Sequence, residues 1–176
     1  KALSFDGVDD YVNISHKPVL APTSSVTVVA LVFKSNWSDD TVNLRRILSK
    51  TENGGYALGF NDFNTGKLGF IVKRNGAYVL VGIVPTQVSS GWHQVSGVYD
   101  GRYSKFYIDE VLKDSNDAGG VYLIEYSYNN NLMIGAEASG GTGPAGGYLN
   151  GFIDEVRIYN RALSDQEIKA LYDATK

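Results

Sequence analysis

Three carboxylates crowd one turn near the start of the chain. Asp6-Gly7-Val8-Asp9-Asp10 lies between the apolar pairs Leu3/Phe5 and Val12/Ile14, so the segment reads as strand, acidic turn, strand. Like charges this close disfavour one another's ionised forms unless something positive is present. Hard cations such as Ca²⁺ take carboxylate and carbonyl oxygens from irregular backbone, which makes Asp6, Asp9 and Asp10 candidate ligands of a structural Ca²⁺. A solvated Asx turn accounts for the same residues without an ion. A fourth carboxylate, Asp154, falls in residues 152–159, where strict alternation puts it on one face with Phe152, Val156 and Ile158. There it requires a cation, an Arg or backbone N–H groups. If the terminal strands pair, Asp154 completes the Asp6/Asp9 site; otherwise it caps a turn through hydrogen bonds. Glu155 and Arg157 fall on the opposite face as an exposed ion pair.

Aromatic rings beside amides are the second resource. Trp37 sits in the polar segment 35–40, and Tyr122, Tyr126 and Tyr128 lead into Asn129-Asn130-Asn131. Sugars present apolar C–H faces and hydroxyl rims, which such neighbours suit. Trp37, Tyr126, Tyr128 and Asn130 are therefore candidate ligand-binding residues. Cross-strand packing competes for the same side chains in a chain with 12 Tyr.

Catalytic constellations lack parts. The chain has no Cys, which removes thiol nucleophiles, thiolate metal sites and disulfides. His16 and His93 are accompanied by neither a Gly-x-Ser-x-Gly elbow nor a His-Glu-x-x-His pair. A glycoside hydrolase is disfavoured too: the Glu-x-Asp-x-x-Glu strand that would bring two carboxylates to within about 5 Å is missing. In Ile153-Asp154-Glu155-Val156 the adjacent carboxylates point to opposite faces.

The elements that must position these residues are short strands. The 176 residues are 43% hydrophobic and 20% charged, the balance of one globular domain, 1–176, expected to be a piece of a larger exported protein. A formal net charge of -3 offers nucleic acid no attractive field, and the longest apolar run, 28–33, is strand-sized, so no direct membrane insertion is expected. Val, Ile, Tyr and Phe recur in strands predicted at 11–14, 26–34, 46–50, 56–61, 67–73, 78–84, 92–100, 104–108, 132–136 and 152–159. Asn75-Gly76 and Asp100-Gly101 supply tight turns, which predicts antiparallel sheets. Residues 139–147, with five Gly around Pro144, read as an irregular loop. Ser164-Asp165-Gln166-Glu167 is a capping box and Leu163/Ile168 a staple, opening one short helix that presents Ile168, Leu171 and Tyr172 on one face.

In this order, Ala2-Leu3-Ser4-Phe5-Asp6-Gly7-Val8-Asp9-Asp10-Tyr11-Val12, Ile47-Leu48-Ser49-Lys50, Gly55-Tyr56-Ala57-Leu58, Gly91-Trp92-His93-Gln94-Val95, Leu132-Met133-Ile134-Gly135 and Gly151-Phe152-Ile153-Asp154-Glu155-Val156-Arg157-Ile158-Tyr159-Asn160-Arg161-Ala162-Leu163-Ser164 resemble the laminin-G-like, concanavalin A-like jelly-roll domains of bacterial and archaeal surface proteins and glycosidases. The resemblance implies an all-β, two-sheet antiparallel jelly-roll sandwich and no enzymatic activity of its own. It also implies frequent carbohydrate or adhesive binding and a structural Ca²⁺ near the joined termini. The expected partners are a glycan or cell-surface polysaccharide, or another surface protein. The expected setting is extracellular or the cell surface, with the isolated domain monomeric; a structural spacer is the alternative. The chain departs from the family where the hairpin after the Trp-His strand carries Asp109-Glu110 in place of Asp-Gly, which weighs against a tight two-residue turn there. Residues 119–128 are longer and richer in Tyr than the family pattern, marking a place for a private binding feature.

Overall fold

A computed structural model describes residues 1–40, 43–60 and 62–176. Among the described residues twelve strands and one α-helix follow in chain order: β1 (Leu3–Asp6), β2 (Val12–Ile14), β3 (Val26–Lys34), β4 (Arg45–Lys50), β5 (Tyr56–Phe60), β6 (Leu68–Arg74), β7 (Ala77–Ile83), β8 (Gly91–Tyr99), β9 (Tyr103–Ile108), β10 (Val111–Asp117), β11 (Leu132–Ile134), β12 (Asn150–Tyr159) and α1 (Asp165–Asp173). They form two six-stranded sheets, β1-β12-β3-β8-β9-β10 and β2-β11-β4-β5-β6-β7. Every ladder described is antiparallel. This is the expected sandwich; of the strand predicted at 56–61, Asn61 lies outside the described residues.

Period-2 alternation builds the core. Val26, Val28, Ala30 and Val32 of β3 face Leu58, Phe60, Phe70 and Val72 of the other sheet, and all are fully buried. Each such aliphatic or aromatic side chain removed from water contributes about 1.5–3 kcal/mol. At the centre the Phe70 ring occupies the place of a side chain on Gly97: a Cβ there would lie 2.3 Å from the ring. The other face of β3 and β8 is covered by α1, where Ile168 and Leu163 pack on Val29, Val98 and Tyr107. The capping box forms as read, Glu167 N–H donating to Ser164 Oγ (3.3 Å) and Ser164 N–H to Glu167 Oε2 (2.9 Å).

Asn75-Gly76 makes the two-residue turn between β6 and β7, with φ of 49 and 77. The β9–β10 turn at Asp109-Glu110 is also two residues, contrary to the expectation. Asp109 takes φ 58, a region its short polar side chain tolerates. Its carboxylate accepts from Gln94 N–H (3.1 Å) and pairs with His93 Nδ1 (2.9 Å), tying the turn to β8 in place of a glycine's freedom.

Residues 119–131 strap one end of the sandwich, Tyr122, Ile124 and Glu125 donating N–H bonds to Gly101, Thr23 and Lys73 carbonyls. Three tyrosine hydroxyls anchor that end, with Tyr56 on Leu20 O, Tyr99 on Tyr122 O and Tyr126 on Pro22 O. These three of the chain's 12 Tyr are thus scaffold.

Candidate functional site

The acidic turn after β1 closes on itself. Gly7 takes φ 84, Val8 N–H donates to Asp6 Oδ1 (2.8 Å) and Asp6 N–H to Asp10 Oδ2 (3.0 Å). Asp6, Asp9 and Asp10, all exposed, each offer one oxygen within 4.8 Å of the others. Oxygens that share one Ca²⁺ at 2.3–2.6 Å lie no farther apart than about 5 Å, so this donor set fits a hard cation. Asp6 and Gly7 also line a cavity of about 330 Å³ with Phe33, Lys34, Asn36 and Asp39, where the buried Lys34 ammonium pairs with Asp40 at 2.7 Å.

Asp154 does not join them. Asp6 lies opposite Asn150, four positions up β12, roughly 13 Å along the strand. The register of β12 shifts between Asp154 and Arg157, with Glu155 at φ 49. This bulge moves the strand's alternation by one residue. Ile153 therefore points into the core, Val156 and Ile158 pack against it, and Asp154 shares the outer face with Phe152, not the apolar face expected. Its carboxylate accepts from Glu155 N–H (2.9 Å) and borders a cavity with Trp92, Gln94, Tyr172 and Lys176. Glu155 and Arg157 pair at the surface, as read.

Of the four sugar-binding candidates, two are buried and one is half-buried. Trp37 is 1% exposed, contrary to its polar surroundings in sequence, because its ring packs on Phe60 and His93 at 6.0 and 5.5 Å. Tyr126 is half-buried, with its hydroxyl held by Pro22. Asn130 is buried, and its amide donates to the carbonyls of Thr51 (2.5 Å) and Glu52 (3.1 Å). Tyr128 alone of the four is exposed.

The loop that Asn130 braces lines a different site, on the outer face of the second sheet. There Arg46 of β4 reaches across Gly59, and its guanidinium bonds Asp62 Oδ2 through Nη1 (2.5 Å) and Glu137 Oε2 through Nε. Ser49 Oγ donates to Glu137 Oε1 (3.0 Å), as does the Thr51 hydroxyl. Arg46, Asp62 and Glu137 are 4%, 4% and 8% exposed. Burial opposes the Arg46 charge, but the two carboxylates outweigh it and hold its pKa above the ordinary value. For Asp62 burial wins over the pull of Arg46, so its pKa is raised. Glu137 is held by an irregular hairpin that the Gly-rich segment closes and that docks on the sheet: Arg46 N–H donates to Gly147 O, Glu137 N–H to Gly146 O and Ala145 N–H to Glu137 O.

These charges line a cavity of about 260 Å³ with Thr51, Glu52, Asn53, Phe63, Ile71 and Tyr78. Phe63 is 59% exposed, its ring 6.1 Å from that of Tyr78. Glu52, Asn53, Phe63 and Asn64 all have positive φ, strain gathered in the two loops that rim the cavity. Arg46, Asp62, Phe63, Tyr78 and Glu137 carried no motif. Their nearest sequence signal is an Arg on the outward positions of a strand.

On the first sheet, Phe152, Phe33 and Trp92 form an outward row across β12, β3 and β8, with centroids 5.8 and 5.6 Å apart.

Two sheets in jelly-roll order, with a polar cavity and aromatic rings on their outer faces, define a lectin-like sandwich. The chain belongs to the concanavalin A-like lectin/glucanases superfamily, whose laminin-G family model matches residues 6–169. It has no match among curated proteins. Among solved structures it is similar to the binding domain of Paraclostridial Mosquitocidal Protein 1 (TM-score 0.66, 17% identity, 99% of this chain and 47% of that one). It is also similar to a heptameric SAP-like pentraxin from Limulus polyphemus (0.66, 16%, 96% and 80%) and to the binding domain of botulinum neurotoxin serotype G (0.64, 15%, 99% and 46%). The chain thus spans about half the length of the two toxin binding domains. These likenesses describe the fold.

Proposed function

We propose that the chain is a non-catalytic carbohydrate-binding or adhesion module of a larger extracellular or cell-surface protein, acting as a monomeric domain. The observation that carries this reading is the buried Arg46–Asp62–Glu137 cluster at the floor of a cavity rimmed by the exposed Phe63 and Tyr78 rings. Fixed carboxylates can accept sugar hydroxyls, and a ring beside them can cover a C–H face. Structural neighbours that are binding domains support the reading. We further propose that Asp6, Asp9 and Asp10 hold a structural Ca²⁺, supported by their convergence.

Hydrolysis of the bound glycan is a second reading, favoured by two carboxylates meeting in one cavity. Against it, both Glu137 oxygens are already engaged, by Arg46 and by the Ser49 and Thr51 hydroxyls, so this carboxylate is held as a fixed acceptor and not poised as a nucleophile or base.

Screening the domain against immobilised glycans, with Phe63→Ala alongside, tests the proposal. Binding weakened roughly tenfold by loss of the ring is the expected result. A blank screen with folded protein would leave the spacer reading in its place. Release of reducing ends from a bound polysaccharide would favour hydrolysis.

A further inference from the structure

Charge around the cavity decides which saccharides it can take. Glu52, Asp62 and Glu137 line it against one guanidinium, and that guanidinium already faces two of the three carboxylates. Thr51, Asn53, Phe63, Ile71 and Tyr78, the rest of the lining, carry no charge at neutral pH. One further cation stands at the rim: Lys73 Nζ reaches Asn53 O (3.4 Å) and lies 5.7 Å from the Tyr78 ring centroid. Even with Lys73 counted, carboxylates outnumber cations.

We infer that this cavity selects saccharides bearing a free amine over neutral ones and rejects those carrying carboxylate or sulfate groups. The inference rests on the glycan reading above and names the ligand class of the same site. An ammonium entering beside Asp62 and Glu137 gives the two buried carboxylates a second cation, and the charge-assisted hydrogen bond it forms is stronger than that of a hydroxyl. An anionic group entering the same space meets three carboxylates, with the only interior cation among the described residues already bonded. Such like-charge contact is costly where water is excluded. Phe63 and Tyr78 supply ring faces to any pyranose and do not discriminate by charge. Burial raises the pKa of Asp62 against the pull of Arg46, and Glu137 adds to the rise. Burial first, with Glu137 and Glu52 adding to it, raises the pKa of Tyr78 against its hydrogen bond to Gly54 and against Arg46.

Isothermal titration with glucosamine oligomers, their N-acetylated counterparts and oligogalacturonate of equal length tests this, at low salt and a pH where the amine is protonated. The expected order is free amine, then acetylated, with oligogalacturonate weaker than the acetylated oligomer by on the order of tenfold or more. Asp62→Asn, whose amide oxygen still accepts a hydroxyl, is expected to narrow the gap between amine and acetylated ligands several-fold. An unchanged gap in Asp62→Asn would assign the preference to the overall negative charge of the domain and overturn the inference. Oligogalacturonate binding as tightly as the acetylated oligomer would overturn it as well. Failure of all three ligands to bind the folded wild type would instead remove the glycan reading on which it stands.

Discussion

At the scale of residues, the Arg46 cluster sets the cost of burial against charge pairing: folding favours the Arg46 cation and disfavours the Asp62 anion. Two buried carboxylates face one buried guanidinium, and desolvation of ions is costly unless each is fully matched. Because the folded pKa of Asp62 lies above its unfolded value, the folded state binds its proton more tightly. The ionised Asp62 therefore lowers stability at neutral pH, and that penalty is relieved as pH falls through the raised pKa. Asp62→Asn, which keeps an acceptor for Arg46 and leaves one carboxylate per cation, is expected to unfold at the same or a higher temperature at neutral pH. Arg46→Ala strands both carboxylates and is expected to cost about 3–5 kcal/mol in urea unfolding. Equal losses in the two variants would make Asp62 a purely structural partner. Nothing in the order of residues foretold this cluster. Arg46 and Glu137 are 91 positions apart and Arg46 and Asp62 are 16, and polar residues on the outward positions of strands ordinarily face water.

At the scale of elements, the β9–β10 hairpin shows a side chain replacing a glycine. Asp109 holds its left-handed turn by accepting from Gln94 N–H and by pairing with His93, whose pKa is raised chiefly by that hydrogen bond, against burial. A His whose folded pKa lies above its ordinary 6.5 contributes stability that is complete at lower pH and lost as pH rises through the folded value. The thermal midpoint should therefore fall as pH rises above 6.5, and Asp109→Asn should flatten that slope. A midpoint with the same slope in the variant would place the titration elsewhere. Strands with an apolar face were legible within a residue or two, β3 at its full extent. β10 was not, because Val111–Asp117 is an edge strand with little to bury. Its function is to close the open side of the sandwich: Asp114 accepts from Gly82 N–H of β7 (2.9 Å), and Asn116 accepts from Arg74 (2.5 Å).

At the scale of the whole molecule, a cation on the acidic turn would stabilise the end of β1 where it pairs with β12. A ligand bound only by the folded state raises stability by about 2.7 kcal/mol at a hundredfold excess over its Kd. For a domain of this size that corresponds to a rise of about 2–4 °C per kcal/mol. Thermal unfolding with CaCl₂ should show such a rise, abolished by EGTA and by Asp9→Asn or Asp10→Asn. Asp154→Asn should leave it intact, since the β1–β12 register places that carboxylate four residues along β12 from the turn. No response at millimolar Ca²⁺ would make Asp6 and Asp10 turn-forming acceptors only.

Local chemistry in the chain determined the all-β class, most strand positions, the Asn75-Gly76 turn and the capped C-terminal helix, because alternation, turn geometry and capping act over a few residues. The crowding of Asp6, Asp9 and Asp10 was legible for the same reason. Only the tertiary structure decided what depends on distant segments meeting. Trp37 became core because Phe60 and His93 cover it, and Asp154 stands apart from the acidic turn because the β1–β12 register sets Asp6 opposite Asn150, four residues away. The Gly-rich hairpin brought Glu137 onto a guanidinium from β4 and so made a cavity that no segment contains by itself.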